Sequence, residues 1–383
     1  MSEAQGSNAE NVSAVENGHL NDGKSAAHNA ALLFKRWAQE NDLMDSQFPV
    51  PVALTESQKD EAFDQFGISA NSESIFRGKG ISSVLFDDSA NRVVVLTNRK
   101  LTQQQYKSLP KQFGDSVSVE YIFGGVGQVG APASPLPNSR YYIHSGRYAC
   151  GSSIHPAKYI GAGTLGCLVK DSTGKLLGLS NNHVSGLCSF AQRGEKILAP
   201  GHLDISAGGC NPFTIGYHLQ TLEFSAGVPD NVDVTNNSDA AIFEVADAEL
   251  VSSMQGNYHD TPGTVAELSP GQIVTKVGRT TGMTQGVVLG QTVSPDCVNY
   301  HVAPLNGATV VYFPTIFAIR SLSASTPFSE AGDSGSLITT EINGQRIAVG
   351  LIFAGTSSGL SYALSLPPLL TKLGVSIVSG HNV

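Results

Sequence analysis

The chain is poor in charge, nearly free of tryptophan and without any long apolar run. Asp, Glu, Lys and Arg supply 14% of its 383 residues, with 23 basic side chains against 32 acidic ones. A net charge of −9 leaves no basic face to neutralise phosphates, which argues against a nucleic-acid partner. The low charge density, beside 41% hydrophobic residues, excludes an acidic disordered protein. No apolar run approaches the ~18–20 residues of a membrane helix. Met1 to Asn29 is polar and shows no basic start followed by an apolar signal core. The cysteines, Cys150, Cys167, Cys188, Cys210 and Cys297, are five in number with no Cys-x-x-Cys pair. That pattern speaks against a disulfide framework or a structural zinc site. These absences predict a soluble, unexported, cytoplasmic protein with reduced thiols, no metal, no cofactor and no membrane partner.

What is present is glycine, 41 residues of it, among Val, Ser and Thr, a mixture that favours strands and tight turns. Residues 1–27 read as a disordered tail. Ala31, Leu32, Leu33 and Trp37 then fit one face of a short helix. Ile81 to Phe86 and Arg92 to Thr97 are β-rich and joined by the turn-forming Asp87 to Asn91. A helix-compatible stretch runs from Leu101 to Phe113, and Ser116 to Phe123 is a further strand. Residues 28–130 are thus a small α+β domain, and the Gly- and Pro-rich sequence beyond it makes 131–160 a linker. From 161 to 383 short strands dominate, among them Ala240–Val245, Ile273–Val277, Val310–Ile319 and Arg346–Phe353. One helix, around Pro367 to Leu373, closes the chain. This is a mainly β pattern, of barrels or a sandwich.

Two segments, Gly125–Gly130 and Gly161–Gly166, match Gly-x-Gly-x-x-Gly. Neither leads into a helix, so neither can cradle a dinucleotide phosphate. Gly332-Asp333-Ser334-Gly335 is more informative. Its glycines let backbone N–H groups turn inward around a serine, as an oxyanion hole requires; taken alone it is also an ordinary turn. A serine needs a base to become nucleophilic. Of ten histidines only His183 directly follows a strand-like run, Leu176 to Ser180. A base needs an orienting carboxylate, and Asp239, just ahead of Ala240-Ala241-Ile242-Phe243, is the best placed. Asp233 is the alternative without strand context. The order His, Asp, Ser excludes an α/β-hydrolase, whose elbow would place Gly where Ser336 stands.

At this point the chain resembles the chymotrypsin-like (trypsin-like) serine peptidases, on Leu179 to Val184, Ser238 to Ile242 and Glu330 to Ser336. The resemblance covers residues 160–378. It implies a double six-stranded antiparallel β-barrel, about 161–255 and 265–366, with the catalytic residues His183, Asp239 and Ser334 between the barrels. It implies Gly332 and Ser334 N–H groups as oxyanion donors. Asn-Asn-His-Val replaces the Ala-Ala-His-Cys of animal enzymes, so the disulfide beside the histidine is missing, as in a bacterial-type branch. Gly278-Arg279-Thr280-Thr281-Gly282 is similar to a segment of bacterial members, which suggests an Arg279–Asp333 ion pair ordering the oxyanion loop. Phe328 is implied at the base of the primary pocket, and Phe353, Ala354 and Gly355 at its wall and substrate-pairing strand. With no acid at that base, a small or medium apolar side chain is the expected preference. The expected function is a serine endopeptidase acting on protein or peptide substrates. The alternative is a catalytically silent or latent binding module on the same fold. The N-terminal domain is expected to be regulatory or to dock a partner.

Overall fold

The computed structural model describes residues 24–44, 66–114, 116–130, 141–205, 212–227, 231–302, 305 and 307–383. Most of the expected tail, Cys210 and residues 131–140 of the expected linker lie outside them. A helix, Ala26–Glu40, begins at Ser25, whose hydroxyl accepts from His28 N, as N-cap serines do. Its Ala27, Ala31, Phe34 and Trp37 are buried at helical spacing, against β1 (Ile81–Asp87) and β2 (Arg92–Thr97). These strands form the expected hairpin, with Leu85 opposite Val94. The helix expected over 101–113 is only Gln103–Ser108. Pro110 cannot continue it, and Gln112–Phe113 forms the short β3. β4 (Val117–Phe123) returns parallel to β2, and β5 (Gly127–Gly130) follows.

Residues 141–160, the described part of the expected linker, are half strand: β6 (Ile143–His144), β7 (Arg147–Cys150) and β8 (Ser153–Pro156). Then come β9 (Gly163–Thr164), β10 (Cys167–Lys170), β11 (Leu176–Ser180), β12 (Lys196–Ala199), β13 (Phe213–Leu222), β14 (Ala240–Val245), β15 (Val251–Gln255) and β16 (His259–Asp260). The order β10-β11-β14-β13-β12-β8-β9 makes an open antiparallel sheet. It curls, because Ile154 of β8 and Leu168 of β10 share one core with Ile197, Ile215 and Phe243. Gly178 faces Phe243 across the ladder, and a Cβ there would lie 2.2 Å from the ring, so the curl needs a glycine.

The second half contains β17 (Ile273–Gly278), β18 (Gly282–Thr292), β19 (Asp296–His301), β20 (Thr309–Phe313), β21 (Phe317–Ser321), β22 (Leu337–Ile342), β23 (Gln345–Gly355), β24 (Ser361–Ser365) and the short β25 (Ser376–Ile377). The antiparallel pairings β17-β18-β21-β24-β23-β22-β17 return to their start. That is a closed six-stranded barrel, and its interior holds Val274, Val288, Phe317, Ile338, Ile352 and Ala363. Closure removes exposed sheet edges. A closed barrel beside a curled, open one makes the chain a mainly β, chymotrypsin-like double-barrel fold, the first barrel being the less complete.

Leu177, Leu179 and Ile242 of the first sheet pack with Leu337, Leu351 and Phe353 of the second barrel. Strands between two cores are apolar on both faces, which is why Ala240 to Phe243 reads as a continuous run. The closing helix, Leu366–Leu373, has prolines in its first turn and Gly374 in the left-handed region at its end, the usual start and stop chemistry. β1 also pairs with β18, Leu85 opposite Thr292, so the strands of the expected N-terminal domain share a sheet with the barrel. Among the described residues no helix is long and apolar enough to cross a membrane.

Candidate active site

Strand pairing brings the first two site residues together. β11 lies against β14 with Ser180 opposite Ala241. The residues just past Ser180 and just before Ala240 are therefore neighbours. His183, in the short helical turn Asn182–Ser185, places Nδ1 2.5 Å from Asp239 Oδ2, and its backbone N donates to Oδ1 at 3.0 Å. Asn181 Nδ2 donates to the Asp239 carbonyl at 2.6 Å. Asp239 is fully buried. A carboxylate facing Nδ1 holds the proton there and leaves the lone pair on Nε2. Asp233, the alternative, is exposed and accepts from Thr235 in its own turn.

The serine arrives on a tight turn before β22. Gly332 has φ +98°, a conformation that glycine adopts without strain. Thr164 holds the turn from the first sheet. Its N donates to Ser334 O at 2.8 Å and its Oγ1 to Gly332 O at 2.9 Å. With both carbonyls engaged, the N–H groups of Gly332 and Ser334 have no hydrogen-bond acceptor among the described residues. Ser334 Oγ donates to Phe353 O at 3.4 Å. No hydrogen bond joins it to His183 among the described residues; His183, Gly332 and Ser334 line one small cavity of about 60 Å³.

The Arg279–Asp333 ion pair is not formed. Arg279 Nε donates to Asp204 Oδ2 at 2.7 Å and Nη2 to Asp204 Oδ1, a two-pronged pair buried on both sides. Asp333 is held by Thr280 N at 2.7 Å, Thr281 Oγ1 at 2.7 Å and Glu330 N at 3.0 Å, with Lys276 Nζ at 3.3 Å. The reason is direction along the chain. Lys276 shares a strand face with the buried Val274, while Arg279 lies past the strand end and turns toward the first sheet. An interior lysine in Ile273-Val274-Thr275-Lys276-Val277 is a readable sign of a buried cation. Nothing local marks Asp204.

Phe328 is not a pocket base. It is fully buried among the residues inside the closed barrel. Its neighbour Ser329 lines the larger cavity instead, about 700 Å³, together with Gly130, Ser334, Ala354 and Gly355. Exposed Glu330 also lines it, so this cavity is not free of acid as the apolar preference requires. Phe353 faces inward, its ring 5.0 Å from that of Phe313, and reaches the site through its carbonyl; Ala354 and Gly355 line the larger cavity.

Two further residues escaped sequence reasoning. His155 lines the small cavity beside His183. Burial pushes its pKa down to about 4 against the pull of the Pro156 and Tyr159 carbonyls, so it is neutral near pH 7. Tyr300 Oη donates to Asp239 Oδ2 at 2.7 Å. Cys150, Cys167, Cys188 and Cys297 are free thiols. Burial pushes Cys150 up to about 12 and raises Cys167 and Cys188 as well, which makes these three poor nucleophiles.

No family model matches the chain, and no curated protein matches it. Among solved structures it is similar to Thermobifida fusca protease A, at 17% identity and a TM-score of 0.39 over 61% of this chain and 100% of that one. It is also similar to Cellulomonas bogoriensis chymotrypsin, at 15% identity and a TM-score of 0.37 over 60% of this chain and 98% of that one. A third is a glutamic acid-specific serine protease described as using a histidine triad in substrate binding, at 20% identity and a TM-score of 0.37 over 60% and 100% of the two chains. Likeness at this level transfers no residue role to this chain.

Proposed function

We propose that the chain is a serine endopeptidase that hydrolyses peptide bonds through an acyl-enzyme. The observation that carries the reading is the His183–Asp239 hydrogen bond at the edge of a cavity shared with Ser334 and Gly332. In this reading Ser334 Oγ leaves Phe353 O by a rotation about χ1 and attacks the substrate carbonyl. Catalytic hydrogen bonds are often unformed before substrate binds. His183 Nε2 takes the proton and returns it to the leaving amine, and Asp239 stabilises the imidazolium. The unpartnered Gly332 and Ser334 N–H groups receive the oxyanion. Water then releases the acyl group by the same steps. No metal or cofactor enters the scheme. A fluorophosphonate probe is expected to label the full chain on Ser334 and to leave Ser334→Ala unlabelled. Equal labelling of both proteins defeats the reading.

One observation favours a latent form of this enzyme. β5 pairs with the end of β23, Gln128 opposite Gly355, on the edge where the substrate strand is expected. β19 flanks β5 on its other side. The N-terminal part of the chain is then regulatory because it fills the substrate edge. Gln128 is exposed, and proline there removes a ladder donor with little loss of packing. Gln128→Pro is expected to raise cleavage of an extended peptide by about 10-fold, the worth of one or two hydrogen bonds, while labelling by the small probe stays the same. Equal peptide rates remove latency from the account.

A further inference from the structure

Asp239 carries more than its histidine. Its Oδ2 accepts from His183 Nδ1 at 2.5 Å and from Tyr300 Oη at 2.7 Å. Tyr300 is fully buried. It comes from β19, which belongs to neither barrel and is held between β5 and β20. We propose that Tyr300 is a positioning residue of the site, whose phenol O–H fixes the Asp239 carboxylate so that Oδ2 stays aligned with His183 Nδ1. The inference rests on the peptidase reading for its kinetic part only.

The carboxylate lies in a dry place, where a lone pair without a donor is costly and a second donor restricts rotation. Burial and the Asp239 charge both raise the Tyr300 pKa well above its ordinary value, so the phenol keeps its proton and acts as donor. The ring is itself held in place. It lies 5.0 Å from Phe224 and 6.3 Å from Phe313, and edge-on to His183 at 5.9 Å. Such packing sets the direction of the hydroxyl. Asp239 Oδ1 is spent on the His183 backbone N, so the carboxylate is fixed at both oxygens by three donors. Two of the three belong to His183 itself, and Tyr300 is the side chain that ties the carboxylate to a different part of the fold.

The test is Tyr300→Phe in the full chain, which keeps the ring and removes one oxygen. Phe224→Leu serves as the packing control, since it thins the ring cluster on one side while Phe313 and His183 still hold the phenol. The first readout is the low-field proton resonance of His183 Nδ1–H, measured without substrate and assigned by its loss in His183→Ala. It is expected to move or broaden in Tyr300→Phe and to stay in place in Phe224→Leu. The second readout is kinetic. kcat is expected to fall by about 10-fold, on the scale of one hydrogen bond to a charged group, with KM within about twofold. An unmoved resonance in Tyr300→Phe overturns the inference whatever the rate does. A wild-type chain without turnover defeats the peptidase reading instead, and the resonance still decides the role of Tyr300.

Discussion

Replacing Ser334 or His183 by alanine is expected to lower kcat by about 10⁴–10⁶ on any peptide the full chain cleaves. The size follows from how a triad works. The nucleophile and its base act as one unit, and losing either forfeits nearly the whole of their joint contribution, while oxyanion donors and binding contacts remain. The double variant should therefore be scarcely slower than either single one. Its measurement is a steady-state assay of the two single variants and the double variant. Losses that multiply in the double variant would mean that Ser334 and His183 work separately, and the acyl-enzyme account would fail.

The second large effect concerns stability. Arg279→Met is expected to destabilise the protein by about 3–5 kcal/mol, the cost of leaving a buried charge without its partner. Asp204 is fully buried, and it also accepts from the Ser153 hydroxyl at 2.5 Å. The loss corresponds to about 6–20 °C in Tm at roughly 2–4 °C per kcal/mol. Arg279→Met with Asp204→Leu should recover most of it, because a buried ion pair exchanged for apolar side chains of similar volume is often close to neutral. Differential scanning calorimetry of the three proteins reads the result. A double variant as unstable as the single one would show that Arg279 is held by something other than Asp204.

The contrast between these residues shows what a linear reading can reach. Ala240 to Val245 was legible as a strand, bounds included, because both of its faces are buried and the apolar run ends abruptly at Asp239. Asp239 and His183, which the structure brings into contact, are marked in the sequence because each flanks such a run, Asp239 just ahead of Ala240 and His183 shortly past Ser180. The stretch from Val310 to Ile319 reads as one strand but is two, β20 and β21, broken from Pro314 to Ile316. The helix expected over 101–113 stops at Ser108 for a similar reason, since Pro110 lacks the N–H that would continue it. Ion-pair partners were not legible. Arg279 and Lys276 lie three positions apart, and only the path of the chain beyond the strand end decides which of them meets Asp333. Tyr300 was invisible because a tyrosine inside a strand carries no local sign of the carboxylate it will face. Phe328 illustrates the remaining failure. Its number placed it beside the pocket, and the face on which its ring lies placed it in the barrel.

The hairpin at Leu85 completes its hydrogen bonds only on a strand that ends at Thr292. During synthesis, more than half of the polypeptide must leave the ribosome before that ladder can close. The apolar strands Ile81–Asp87 and Arg92–Thr97 wait through that interval with an unpaired edge, the situation in which nascent chains associate wrongly. A gene cut between the two halves would leave neither fragment able to close that ladder by itself.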